Sequence, residues 1–323
     1  MAEYINIKGQ NIEVVASDPA NPTLGQIWYN STSNTLKGEN LGAASWATGG
    51  NLGTARFASG GAGTQTAALA FGGSTYPPTV YKLETEEYNG TSWSPGGSLS
   101  TARGYLGAAG TQTAGLAFGG QDGTANIGST EEYNGSTWSP SNPMITTRTQ
   151  FTGTGTQTAA LGFGGYTTTQ VGSTEEYDGN SWTSSNNLNT ARSGLAGAGI
   201  QTAAIAFGGS TGSVTGATEE YDGTSWATSP GSLNTARNFL GEAGTQAAAL
   251  AFGGKPPTTA ATEVYNGITW TNGTNMGTAR SDLAGAGLQS SALAIGGYTT
   301  ADSAATEEWT GPGAAVTKTI TVS

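Results

Sequence analysis

The chain has no cysteine and no histidine. Without cysteine there is no disulfide and no thiolate metal site. Without histidine there is no imidazole metal ligand and no Ser-His-Asp triad. Charge is scarce as well: only 10% of residues are charged, with 22 acidic against 11 basic and a net charge of −11. That balance argues against nucleic acid as a partner, since a phosphate backbone needs clustered Lys and Arg. Long apolar runs are missing. None approaches the ~18 residues of a membrane span, so no membrane insertion is expected. The opening residues, Met1 to Asn6, lack the basic and apolar regions of a signal peptide, and none is expected.

Glycine and regularly spaced aromatics are what the chain has in plenty. Glycine fills 53 of 323 positions, while hydrophobic residues reach only 35%. Low charge with recurring Trp, Tyr and Phe points to many short strands and tight turns rather than disorder.

The arginines reveal a repeat. Arg56, Arg103, Arg148, Arg192, Arg237 and Arg280 are the only ones, spaced 47, 45, 44, 45 and 43 residues apart. A period near 45 suits a four-stranded propeller blade. Fifteen residues after each Arg stands Phe71, Phe118, Phe163, Phe207, Phe252 or Ile295, each followed by Gly-Gly. Then comes Thr-Glu-Glu-Tyr or a variant, ending at Tyr88, Tyr133, Tyr177, Tyr221, Tyr265 and Trp309. Five residues after each tyrosine is Trp93, Trp138, Trp182, Trp226 or Trp270.

This pattern predicts four strands per repeat: one after the Arg, one ending at Gly-Gly, one carrying Glu-Glu-Tyr and one carrying Trp. Asn-Gly or Asp-Gly between the last two is a strong hairpin signal. Small residues fill the first two strands despite poor β-propensity. They are expected to fit crowded inner strands. The sixth repeat lacks its tryptophan, and Ser45-Trp46 precedes Arg56 by the missing interval. Residues from about 42 are therefore expected to complete the last blade. The expected fold is all-β, a six-bladed β-propeller whose ring is closed by an N-terminal strand, plus a small N-terminal extension.

The Gly-Gly pair, the aromatic pair across a hairpin and the Arg opening the first strand resemble the kelch motif, over roughly residues 42 to 311. The five-residue step from Tyr to Trp is shorter than in typical kelch repeats. Kelch propellers mostly bind other macromolecules, and a few are enzymes. Galactose-oxidase-like members need copper held by His and a Cys–Tyr crosslink, which this chain cannot supply. No catalytic activity, metal or cofactor is expected.

The segment Gly25-Gln26-Ile27-Trp28-Tyr29-Asn30, followed by Thr35-Leu36-Lys37, resembles a short hairpin of phage tail and fibre proteins. The resemblance implies a virion component. Residues 1–41 would dock to other virion subunits, 42–311 form the propeller, and 312–323 form a C-terminal strand or tail. Val316 to Val322 alternates with period two. It is expected to pack on the propeller or pair with a partner. A homo-oligomer is compatible with a fibre.

Variation localises a candidate site. The step from Phe or Ile to the next Tyr or Trp is 17, 15, 14, 14, 13 and 14 residues, so length changes fall between the second and third strands. Those loops and the ones before each Arg are expected on one face. Loops on a rigid scaffold are common carriers of recognition. Candidate ligand-binding residues on that face are Tyr76, Lys82, Tyr166, Lys255 and Tyr298, with the six arginines. Two readings of the arginines stand. They ring a channel mouth and hold an anionic group such as a polysaccharide carboxylate, or each pairs with the recurring Glu86, Glu131, Glu175, Glu219, Glu263 or Glu307. The functional expectation is a non-enzymatic virion protein that recognises a host-surface glycan or protein. The alternatives are a decoration or spacer protein binding other virion subunits, and a cellular interaction module.

Overall fold

Each repeat is cut into strands by its turns. The turn after Tyr88 illustrates this. Asn89 accepts the N–H groups of Thr91 and Ser92 on its side chain, both at 2.9 Å, and Gly90 takes a φ of 88°. Only the glycine of the Asn-Gly pair uses positive φ. The asparagine acts as an acceptor, closing a four-residue loop that sets Tyr88 opposite Trp93. Asp178 and Asp222 do the same in their repeats.

The computed structural model describes residues 12–20, 26–41, 43–313 and 315–320. Among them there is no helix, and the chain is all-β. It divides into two units, Ser45–Thr310 and a smaller one formed by residues up to Ala44 together with those from Gly311.

The larger unit repeats one four-stranded antiparallel sheet, with strands in sequence order. In the third repeat the strands are Thr152–Thr156, Ala159–Phe163, Thr174–Tyr177 and Trp182–Ser185. The last sheet draws its fourth strand from the other end of the unit. Ser45–Thr48 pairs antiparallel with Thr306–Thr310, with Trp46 opposite Trp309.

The first strands of successive repeats lie side by side, and Ala284–Leu288 also lies beside Gly60–Thr64. Their spacing explains the glycines and alanines. A Cβ on Gly285 would stand 1.9 Å from the Glu242 carbonyl oxygen, and one on Gly61 would stand 2.6 Å from that of Gly285. Apolar cores form between neighbouring sheets. Leu161, Phe163 and Leu188 of one repeat pack with Leu195, Ala204, Ala206, Tyr221 and Trp226 of the next.

Three polar contacts tie each repeat to its predecessor. The tryptophan Nε1 donates to a threonine hydroxyl at 2.9–3.0 Å, from Trp93 to Thr306, Trp138 to Thr85, Trp182 to Thr130, Trp226 to Thr174, Trp270 to Thr218 and Trp46 to Thr262. The tyrosine hydroxyl donates to the second glutamate of Glu-Glu-Tyr at 2.5–2.6 Å, from Tyr88 to Glu308, Tyr133 to Glu87, Tyr177 to Glu132, Tyr221 to Glu176 and Tyr265 to Glu220. A glutamine at the first turn, such as Gln157, donates to two carbonyls of the previous sheet, here Gly115 and Tyr133 at 3.0 and 2.7 Å.

The smaller unit is one sheet with the order Glu13–Val15, Ile27–Asn30, Thr35–Leu41, Ala315–Ile320. The Gln26 to Lys37 hairpin forms, with Ile27 opposite Gly38. Trp28 is fully buried, and its Nε1 donates to Asp18 at 3.1 Å. Asp18 also accepts from Asn30 and pairs with Lys37 at 2.6 Å. Met1 to Asn6, Gly25 and Thr321 to Ser323 lie outside the described residues. The C-terminal strand, expected to pack on the propeller or to pair with a partner, pairs with Thr35–Leu41 of its own chain.

One junction between repeats departs from the tyrosine–glutamate rule on both sides at once. Val264 stands where the second glutamate should, and Trp309 where the next tyrosine should. Both side chains flank Gly273, with atoms 3.3 Å from where its Cβ would be. The apolar valine removes the acceptor and the tryptophan removes the hydroxyl. Val264→Glu alone should destabilise by roughly 1–3 kcal/mol, because the new carboxylate meets no donor. Adding Trp309→Tyr should recover part of that loss. Urea unfolding of the two single variants and the pair gives the coupling; simple additivity would contradict the account.

Candidate functional site

The arginines come first because they are the chain's commonest cation. Arg56, Arg103, Arg148, Arg192, Arg237 and Arg280 are all 0–1% exposed. Each pairs with the first glutamate of its own repeat: Arg56 with Glu86 at 2.7 Å, Arg103 with Glu131 at 2.5 Å, Arg148 with Glu175 at 2.9 Å, Arg192 with Glu219 at 3.3 Å, Arg280 with Glu307 at 3.1 Å, and Arg237 with Glu263. The remaining donors go largely to local carbonyls, such as Arg103 to Ser129 at 2.6 Å. Each glutamate also accepts a loop N–H at 2.6–2.8 Å, from Gly53, Ser100, Ile145, Asn189, Asn234 or Gly277. Burial pulls Arg148 down to about 10, against the pull of Glu175 in the other direction. No guanidinium faces solvent. The anion-binding ring gives way to the ion-pair reading, because the carboxylate that each fork could grip is already built into its repeat.

The rim residues stand two places further on. Ala58, Tyr105, Gln150, Gly194, Phe239 and Asp282 each follow an arginine by two residues and line one cavity. All six adopt φ between 51° and 60°, a left-handed conformation costly for a side chain. The cause is a chain of backbone hydrogen bonds. Tyr105 N–H donates to Ala58 O at 2.9 Å, Gln150 to Tyr105 at 3.1 Å, Gly194 to Gln150 at 2.7 Å, Phe239 to Gly194 at 2.7 Å, Asp282 to Phe239 at 2.8 Å and Ala58 to Asp282 at 2.7 Å.

Side chains on this rim form a second, unequal circuit. Ring centroids are 5.6 Å apart for Tyr298 and Phe57, 6.1 Å for Phe57 and Tyr105, and 5.9 Å for Tyr105 and Phe239. Lys255 Nζ lies 4.5 Å above the Phe239 ring and 2.7 Å from Asp282 Oδ2. Burial, aided by the Asp282 charge, pushes the Tyr105 phenol well above its usual range.

The remaining predicted residues separate. Tyr166, Lys255 and Tyr298 follow a Gly-Gly and bridge to the residue after an arginine, respectively Thr149, Asn238 and Ser281. Tyr76 is 53% exposed, and its N–H donates to Asp302 at 2.8 Å. Lys82 is half-buried, with its backbone joined to Gly73 and Arg103. Lys255 and Tyr298 thus meet the rim aromatics, while the arginines lie beneath the surface. Sequence reasoning missed Phe57, Tyr105, Gln150 and Phe239. A signal was present for three of them: the position two residues after each arginine, which holds Tyr105, Gln150 and Phe239, carries a different residue in every repeat.

Glu242 lies deeper. It borders the mouth cavity and a second cavity further along the six inner strands. Water reaches it, yet protein surrounds it, and burial pushes its carboxyl up to about 8. A scan against protein-family models gives no match for this chain, and a search of curated proteins gives none.

Two outcomes follow from these charges. Glu175→Ala leaves Arg148 buried without its partner and should cost about 3–5 kcal/mol in urea unfolding; a loss below about 1 kcal/mol would show that the pair is not what orders the repeat. Glu242 keeps a proton in the folded state that the unfolded chain, with a value near 4.5, gives up. Its contribution is full below that value and lost as pH rises through about 8. Glu242→Gln should therefore match the parent Tm at pH 5 and exceed it by several degrees at pH 8.5. An equal offset at both pH values would rule this out.

Proposed function

We propose that the chain is a closed six-bladed, kelch-like β-propeller and a non-enzymatic phage virion component of the tail or fibre kind. In this reading the strand Ser45–Thr48 closes the ring. The hairpin unit joins the protein to other virion subunits. The channel mouth receives a host-surface ligand, a glycan in preference to a protein.

One observation carries the binding role: the mouth is unlike in every repeat. A spacer gripping its neighbours can use surfaces that repeat. A receptor site needs an asymmetric pocket. The rim has six different residues at one equivalent position, all with a left-handed backbone, which five of them hold despite carrying a side chain. Strain kept at one rim position while identity changes fits selection on side chains rather than on packing. Three of those side chains are aromatic or amide, and Phe57 and Tyr298 extend the rings outward. Flat apolar rings with polar neighbours suit sugars, whose faces are apolar and whose edges are hydroxyls. The resemblance of the hairpin to phage tail and fibre proteins supports the virion setting.

Glycan-array and host-cell binding of the full chain tests the reading. Phe239→Ala copies the alanine of the first repeat and should keep the fold, yet weaken binding at least tenfold. Ile200→Thr, at the turn at the other end of the inner strand, should leave binding unchanged. A folded protein that binds neither cells nor glycans would move the assignment to a decoration or spacer protein.

A further inference from the structure

We propose that the channel beneath this mouth binds a primary ammonium group, so that the ligand presented to it carries a cationic amine. The inference rests on the reading of the mouth as the binding face and adds the chemical class of what enters.

The position five residues after each arginine supplies the argument. It holds Gly61, Ala108, Gly153, Gly197, Glu242 and Gly285, and all six line the channel. Five of them bring nothing longer than a methyl group. Glu242 alone reaches in, at a level otherwise kept open. Among the described residues its carboxyl has no hydrogen-bond or ion-pair partner. The other inner strands, Gly60–Thr64, Gly107–Thr111, Thr152–Thr156, Ala196–Ile200 and Ala284–Leu288, contain no titratable side chain. The strand behind it, Ala248–Phe252, contains none either.

A second acceptor points the same way. The Asp282 side chain is 2% exposed, and its Oδ2 takes Lys255 and Ser281. Its Oδ1 is buried without a partner, and the residue itself borders the same cavity as Glu242. The cations of this face cannot supply the missing donors. The six arginines are committed to their own glutamates, Lys255 is committed to Asp282, and among the described residues the half-buried Lys82 makes no ion pair with Glu242 or Asp282. A carboxylate accepts only, so the missing partner must be a donor. An ammonium brings three N–H donors and a full charge in one compact head. The Tyr105 ring above offers a face that attracts a cation, and Phe239, already under Lys255, can cover the carbon body attached to it. A hard metal ion fits less well, since it asks for six or more oxygens and this level offers one carboxylate. An anionic sugar meets two carboxylates and is disfavoured, the reverse of what a ring of exposed arginines would select.

Binding is linked to protons. Burial holds the Glu242 carboxyl protonated at neutral pH when the channel is empty. An ammonium stabilises the ionised form, so occupancy expels the proton to solvent. Affinity for a cation should rise as pH goes from 6 to 8 and level off above. The charged groups nearest along the channel are Asp282 and Lys255, already paired with each other, and the Tyr105 phenol stays neutral across this range.

Isothermal titration of the full-length protein with propylammonium and with propanol, in two buffers of different ionisation enthalpy at pH 7, tests the proposal. The ammonium should bind at least tenfold tighter than the alcohol, with roughly one proton released. Glu242→Gln, checked for fold by circular dichroism, should lose the preference and the proton release together. Asp282→Asn should weaken binding but keep the proton release. Equal affinity for the two probes, or an ammonium preference that survives Glu242→Gln, would overturn the proposal. Neutral glycans that bind through Phe239 without any amine preference would remove this inference and leave the binding face standing. Loss of both would remove both.

Discussion

A buried arginine held by a glutamate of the same repeat is the interaction on which the rest depends. A guanidinium with no exposure needs its charge offset by a partner, and here one carboxylate offsets it while also gathering the N–H groups of the loop before it. That geometry fixes where the chain turns into the inner strand. The residue two places on is thereby delivered to the rim with its backbone left-handed, because its N–H must reach the carbonyl of the equivalent residue before it. The rim side chains are consequences of an ion pair they never touch.

The glutamates show how two adjacent residues of one strand divide labour. Alternation sends successive side chains to opposite faces of a sheet. The first glutamate turns to its own arginine, and the second accepts a tyrosine hydroxyl from the following repeat. One holds a repeat together and the other holds two repeats to each other. Burial and the neighbouring carboxylate both keep that phenol protonated, pushing Tyr177 up to about 12, so the bond persists across ordinary pH. Val264 and Trp309 are the exception that identifies the rule, because both partners change together.

At the inner strands backbone proximity outweighs propensity. Alanine and glycine are weak strand formers, yet a Cβ on Gly153 would already meet the Phe118 ring at 2.3 Å. With five of six repeats kept that small, a single glutamate alters the character of the whole channel. The mouth is acidic and aromatic, whereas a count of basic residues along the sequence suggests a cationic face.

The sequence alone determined the repeat, the four strands in each copy and the source of the missing last strand, because period, turn residues and alternation are local properties of the chain. It also brought each arginine within reach of the right glutamate, though not to a decision between pairing and display, since exposure is a property of packing. The rim was hidden for the same reason. Nothing in a single copy marks Tyr105, Gln150 or Phe239, and Glu242 reads as one more departure from the pattern. Only the tertiary structure brings residues some 45 positions apart to one opening. There the inner strands lie too close for side chains, and the few that remain face a shared channel with their partners already spoken for.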